Sequence, residues 1–271
     1  MKSKKLLNIS IVLYLLIVIF PFIWVFLTSL KPESAIWGDE ALKLFADKIT
    51  FEHYQALFRG NIFNALKNSI IISSVTTLYV TFVAAACAYS IARLKFKGKR
   101  ILLAVVLATS MFPQMMVVGP IYRTFVDLGW TNSYHIVLPY SMISLPIAIY
   151  TLVTHFAKVP KEMEESAFID GASKIKTFVK IIFPLALPGI FTSAIITFIG
   201  VWNEFLLSMT LNANESYHTA PVAISFLRGQ FQIFWGQVTA ATVIVTIPTL
   251  IIVILFQKQI ISGITSGAVK G

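Results

Sequence analysis

Apolar residues in this chain fall into long runs separated by short polar gaps. The runs lie near Leu6–Leu30, Leu66–Ala92, Ile101–Phe125, Tyr134–Phe156, Ile181–Met209 and Val238–Phe256. Each is close to the roughly 20 apolar residues that a helix needs to cross a hydrocarbon core. The pattern predicts an all-α fold, a polytopic membrane bundle of about six transmembrane helices. Prolines stand inside several runs, at Pro21, Pro113, Pro120, Pro139, Pro146, Pro184, Pro188 and Pro248. In a membrane bundle, neighbouring helices can satisfy the carbonyls that these prolines free. The first run is longer than the core of a signal peptide, roughly 7–15 residues. It also lacks an Ala-x-Ala site and is read as a retained span, with a cleaved signal the lesser alternative.

Composition sharpens this reading. Of 271 residues, 57% are hydrophobic and only 13% charged, with a mean hydropathy of +0.80. Soluble domains carry about a quarter charged residues. The net charge of +10 would fit a nucleic-acid partner, but the basic residues cluster in the gaps between runs, so none is expected. Lys2, Lys4 and Lys5 precede the first run, and RLKFKGKR after the second holds five basic residues and no acid. Lys158, Lys161, Lys174, Lys176 and Lys180 follow the fourth, and Lys258 and Lys270 follow the last. Between them lie gaps bearing only Arg123 or Arg228 and a first loop of mixed sign. Basic residues are retained on the cytoplasmic side. Both termini and residues 158–180 are therefore expected there. No internal repeat or low-complexity tract is visible, so residues 1–271 read as a single transmembrane domain surrounded by lipid. The lone Cys87 lies in an apolar run and reads as a packing residue.

One long charged segment, KVPKEMEESAFIDGASKIKTFVKIIFPLALPG, interrupts the apolar pattern. Pro160 suits the first position of a helix. Glu162, Glu164 and Glu165 place negative charge near its positive end. Gly171 is a stop of the left-handed type. A second helix starts near Ser173, with Ile175, Phe178, Val179 and Ile182 at helical spacing, and Pro184 and Pro188 bend or interrupt it. Met163, Phe168 and Ile169 among the acids fit a docking element for a cytoplasmic partner. A solvated interfacial hairpin is the plainer alternative.

Glu165-Ser166-Ala167, three residues, Gly171, nine residues and Ile181-Ile182-Phe183-Pro184 resemble the EAA loop of ABC importer permeases. Ser166 and Phe183 depart mildly from that pattern, and the spacing is intact. FQKQIISGITSGAVKG, MFPQMMVVGPIYRTFVDLGWTNSYHIVLPY and VWNEFLLSM are similar to the carbohydrate-uptake branch, in particular to the second membrane subunit of maltose-type importers. The resemblance implies a type I ABC importer permease fold in a bacterial cytoplasmic membrane. It implies that Glu165, Ser166, Ala167, Asp170 and Gly171, within a cytoplasmic loop 158–183, couple to an ATPase subunit. It implies that the tail 257–271 reaches the ATPase through Gly267, Ala268 and Lys270. The expected partners are a second permease subunit, two cytoplasmic ATPase subunits, an extracellular solute-binding protein and a sugar.

The chain contains no G-x-x-x-x-G-K-[ST], so ATP is expected on the partner and no cofactor or catalytic residue on this chain. His53, His135, His155 and His218 form no metal-spaced pair, and no metal is expected. Glu204 is placed inside the fifth run, where a charge usually faces a bundle interior or a wet cavity. With Trp202 and Asn203 it is a candidate for the substrate path, the alternative being bonds to neighbouring helices. Two other functions remain open: an ABC permease for another polar solute such as glycerol phosphate, and a stand-alone secondary carrier or channel. The orientation is testable by cysteine labelling in a Cys87→Ser background. Lys97→Cys should resist an impermeant thiol reagent in intact cells and react once the cells are opened; labelling from outside would reverse the topology.

Overall fold

A computed structural model describes the backbone of residues 2–229 and 232–268, and the side chains of residues 4–229 and 232–260. In chain order the helices are α1 (Lys2–Thr28), α2 (Glu33–Trp37), α3 (Glu52–Arg59), α4 (Ile62–Arg93), α5 (Lys99–Ser110), α6 (Gln114–Asp127) and α7 (Val137–Lys158). They continue as α8 (Glu162–Ile169), α9 (Lys174–Thr177), α10 (Phe183–Leu185), α11 (Leu187–Trp202), α12 (Leu206–Leu211), α13 (Ala220–Phe226) and α14 (Trp235–Ala268). Among the described residues there is no β-strand, only a bridge between Arg228 and Ile233. The fold is all-α, as the apolar runs predict.

Four segments are long and apolar enough to cross a bilayer: Lys4–Thr28, Ile62–Arg93, Tyr134–Lys158 and Trp235–Ile260. Two further spans are broken. The third run bends by 87° between α5 and α6, and the fifth by 76° at the start of α11. Proline explains both. Pro113 has no N–H to continue α5 and disfavours helical backbone at the residue before it, Phe112. Pro184 and Pro188 stand at the starts of α10 and α11, and the backbone just before them, Phe178–Ile182, widens into a π-helix. Pro21, Pro120, Pro146 and Pro248 instead lie within continuous helices.

The chain divides into two compact units, Met1–Leu66 with Ala220–Pro248, and Lys67–Thr219 with Thr249–Gly271. In the first unit the loop after α1 is organised about Lys31, which is 2% exposed. Its ammonium donates to the carbonyls of Glu40, Ala41 and Lys43. The Glu33 carboxylate accepts from the N–H groups of Trp235 and Gly236, each at 3.1 Å. It thereby fills two donors that the start of α14 would otherwise leave open. The side chains of α1 point outward: Ile17 is 72% and Phe22 65% exposed, as a lipid-facing helix requires.

The second unit holds the main core. Val80, Ala84 and Ala88 of α4 pack with Ile149, Leu152 and Phe156 of α7 and with Ile190 of α11. Small residues on α4 let the helix axes approach, which is how helices associate where lipid supplies no hydrophobic drive. Gly189 marks a close approach between α7 and α11. A Cβ there would collide with the ring of His155 on α7. Gly189→Val should therefore overpack the α7–α11 contact and destabilise the unit by about 1–3 kcal/mol, read as a lower melting temperature of the solubilised protein. An unchanged melting temperature would show that this contact is loose.

Candidate coupling loop and membrane cavity

The charged segment folds as helix, glycine turn, helix. α8 starts at Glu162 rather than at Pro160. Lys161 is the residue at its N-cap, and its carbonyl accepts from Glu164 and Glu165. Pro160 lies just outside, ending the extended residue after α7. At the other end Gly171 has φ +76°. The Ala172 N–H reaches the Ala167 carbonyl at 2.9 Å and the Gly171 N–H reaches Phe168 at 3.1 Å, the paired bonds of a Schellman turn. The Ser173 hydroxyl then accepts from Lys176 N–H and caps α9.

Glu165, Ser166, Asp170 and Gly171 are exposed and Ala167 is buried. Beside them Met163 is 48%, Phe168 43% and Ile169 86% exposed. An acidic helix thus displays three large apolar side chains, a composition suited to a protein surface it can cover.

Two attachments fix this loop to the bundle, and the sequence reading missed both. Arg93, the last residue of α4, stands 3.4 Å from the Glu164 carboxylate, with the two side chains 3% and 12% exposed. The Arg93 guanidinium also donates to the Val159 carbonyl. Sequence reading assigned Arg93 to the retained basic cluster and Glu164 to the helix dipole; pattern alone carries no signal that the two meet. The second attachment is Phe178, the first residue of the π-helix. Its ring centroid lies 4.7 Å from Tyr89, 6.2 Å from Phe156 and 5.9 Å from Phe183.

Glu204 occupies a break, not the inside of a span. α11 ends at Trp202 and α12 begins at Leu206. This corrects the expected fifth span, Ile181–Met209. The carboxylate fills the break. Its Oε1 accepts from Gln114 Nε2 and from Leu207 N–H, both at 2.8 Å. Its Oε2 accepts from the Tyr140 hydroxyl at 2.5 Å and from Ser208 N–H at 3.2 Å. An ionised carboxylate has about four acceptor sites, and here four donors reach it. Two of them are the open N–H groups of α12, which Phe205 at the cap position cannot satisfy. Gln114 opens α6 directly after the first break, so Glu204 ties two helix breaks together.

A cavity of about 230 Å³ adjoins this node, lined by Gln114, Tyr140, Ile143, Ser144, Ile147, Ile196, Thr197, Gly200, Val201 and Glu204. Trp202 and Asn203 are not in its wall. Trp202 is 2% exposed and stacks on Phe198, and Asn203 bonds back to the Ile199 carbonyl. Gly267 and Ala268 end α14, while Lys270 lies outside the described residues. Among the described residues no group of three metal-ligating side chains occurs.

The family described as binding-protein-dependent transport system inner membrane component matches residues 80–266, which include the broken spans, the loop and the cavity. The chain belongs to that family. This inner-membrane component is 41% identical to the trehalose transport system permease protein SugB of Mycobacterium tuberculosis, over 93% of this chain and 92% of that protein. It is 39% identical to the trehalose/maltose transport system permease protein MalG of Thermococcus litoralis, over 99% and 98% of the two chains. Its fold matches a chain of a bacterial ABC transporter that imports the acidic polysaccharide alginate, with TM-score 0.80, 20% identity and coverage of 95% and 96%.

In this inner-membrane component the Arg93–Glu164 pair is open to a direct test. Removing one partner of a buried ion pair typically costs about 3–5 kcal/mol, because the other charge is left buried and alone. Arg93→Leu and Glu164→Leu should each destabilise by about that much, and the double variant by much less than their sum. Unfolding of the solubilised protein across this double-mutant cycle gives the coupling; additive effects would mean the pair does not hold the loop.

Proposed function

We propose that this chain is one of two membrane subunits of an ATP-driven, binding-protein-dependent sugar importer. The observation that carries this reading is the exposed face of α8, an acidic helix with uncovered Met163, Phe168 and Ile169, stiffened by a glycine turn and anchored to α4 by a buried ion pair. The sugar-transport relatives support the substrate class. Residues 1–271 form one permease domain that supplies half of a translocation path, and a second permease subunit supplies the rest. Both termini, the loop 158–183 and the tail 257–271 face the cytoplasm, where the basic residues collect. Glu165, Ser166, Ala167, Asp170 and Gly171 seat in a cleft of an ATPase subunit, and Gly267, Ala268 and Lys270 meet the ATPase pair. ATP is bound and hydrolysed there, not on this chain, which lacks a phosphate-binding loop. An external solute-binding protein delivers the sugar.

In this arrangement Gly171 carries both a backbone and a surface constraint. A Cβ at its φ of +76° costs on the order of 1–2 kcal/mol. Within the chain that Cβ would meet nothing within 4 Å. Gly171→Leu should therefore leave the spans inserted but reduce capture of the ATPase subunits and uptake of sugar. Glu165→Lys should act the same way by reversing a charge at the docking face. Pull-down of the ATPase with matched uptake in membrane vesicles provides the measurement, and normal values for Gly171→Leu would return the loop to a plain interfacial hairpin.

A further inference from the structure

We propose that the cavity at Glu204 is a binding station for one ring of a neutral sugar or polyol, and that its negative charge excludes anionic solutes. The proposal rests on the sugar-import reading and adds to it a place and a charge class. One end of the cavity is polar, with the Gln114 amide and the Tyr140 hydroxyl joined to the Glu204 carboxylate, and the lining also includes the apolar Ile143, Ile147, Ile196 and Val201. A sugar ring offers hydroxyls at its edge and C–H groups on its faces, so it matches a pocket that is mostly apolar with a few oriented polar groups.

The polar end is preorganised. Glu204 is held by four donors from its own chain. It therefore fixes the Gln114 side chain with one N–H engaged. The other N–H and the carbonyl oxygen of that amide are available to a ligand hydroxyl, as donor and acceptor.

Gly200 gives the second, independent observation. It lies in α11 and lines the cavity, and a Cβ there would meet nothing within 4 Å. Glycine weakens a helix relative to alanine. No neighbour in this chain requires the missing side chain, in contrast to Gly189 against His155. The space is kept for something that is not part of this chain.

Charge then narrows the class. Neither the lining residues nor the donors to Glu204 include a lysine, arginine or histidine. Repulsion between Glu204 and an anionic ligand would act in a medium of low dielectric, where it is weakly screened. Neutral polyhydroxylated solutes fit this pocket, and glycerol phosphate does not.

The test uses the assembled complex. Gly200→Cys, in a Cys87→Ser background with no other cysteine, is alkylated with a small neutral maleimide. The reaction is run alone and with millimolar trehalose, maltose or glycerol 3-phosphate, in the nucleotide-free state and with ATP and loaded binding protein. A neutral sugar that the wild-type complex imports should slow labelling several-fold, and glycerol 3-phosphate should not. Gly200→Leu should lower uptake at least several-fold while the second permease subunit and the ATPase still co-purify. Three results would overturn the proposal: no protection by a sugar that wild type imports, equal protection by glycerol 3-phosphate, or loss of the second permease subunit from Gly200→Leu. The last would put a partner helix in the cavity. If wild type imports no sugar, the import reading itself fails and the proposal falls with it.

Discussion

In a bilayer every backbone N–H and C=O outside a regular helix must find a partner within the protein, and this chain interrupts its spans repeatedly. The interruptions after Ser110, at Ala186 and after Trp202 each expose groups that lipid cannot satisfy. Different devices close them. Around Ala186 the helices on either side share a single residue, and the N–H of Ala186 and of Ile190 both find carbonyls within the chain. After Trp202 no backbone solution is available, because α12 starts afresh with its N–H groups open. A carboxylate supplies the acceptors instead. A carboxylate offers more acceptor sites than an amide or hydroxyl would, and Glu204 stands in the break, where the unpaired donors are.

This explains why so much of the fold was legible from hydropathy and so little of the site. The spans follow from run length alone, and the break near Pro184 and Pro188 follows from a missing N–H, whereas Pro113 reads as tolerated within one span and instead breaks it by 87°. Gly171 and Ser173 were readable too, since a left-handed stop and an N-cap are local chemistry. Glu204 was misread because hydropathy averages over a window. The sequence VWNEFLLSM stays apolar through Glu204, and nothing in that average registers a helix that ends at Trp202 and restarts at Leu206. The Arg93–Glu164 pair was invisible for a different reason. It joins the end of one helix to the start of another across a long stretch of chain, and each residue already had a sufficient local explanation. Trp202 and Asn203 were grouped with Glu204 by adjacency, whereas the break turns them to other surroundings.

The attachments of α8 matter to the proposed coupling, because an element that is to transmit a push must not yield. A surface ion pair would contribute little, of order 1 kcal/mol or less, and would exchange with water. The Arg93–Glu164 pair is buried, and its guanidinium also holds the Val159 carbonyl at the entrance to the loop. Phe178 adds a packed contact to α4 and α7 through Tyr89 and Phe156. The loop is thus fastened around the start of α8, at Val159 and Glu164, and after it, at Phe178, while the large apolar side chains of α8 stay uncovered.

The same geometry gives the proposed coupling a lever. α11 has sixteen residues, a rod of about 24 Å at 1.5 Å per residue. Its first turn sits where the chain bends by 76° after the π-helix, and Gly189 there lies against His155. Its far end carries Gly200 and leads into Glu204, in the wall of the cavity. On the proposed coupling, a displacement of α8 would reach α10 through the aromatic cluster around Phe178 and Phe183, and the bend would convert it into a tilt of α11. Because close-packed interiors transmit strain, such a tilt at the Gly189 end would be carried along α11 to the Gly200 end. There the Gln114–Glu204 and Tyr140–Glu204 bonds hold the two breaks together, so under the proposed coupling their making or parting would link the loop to the shape of the cavity.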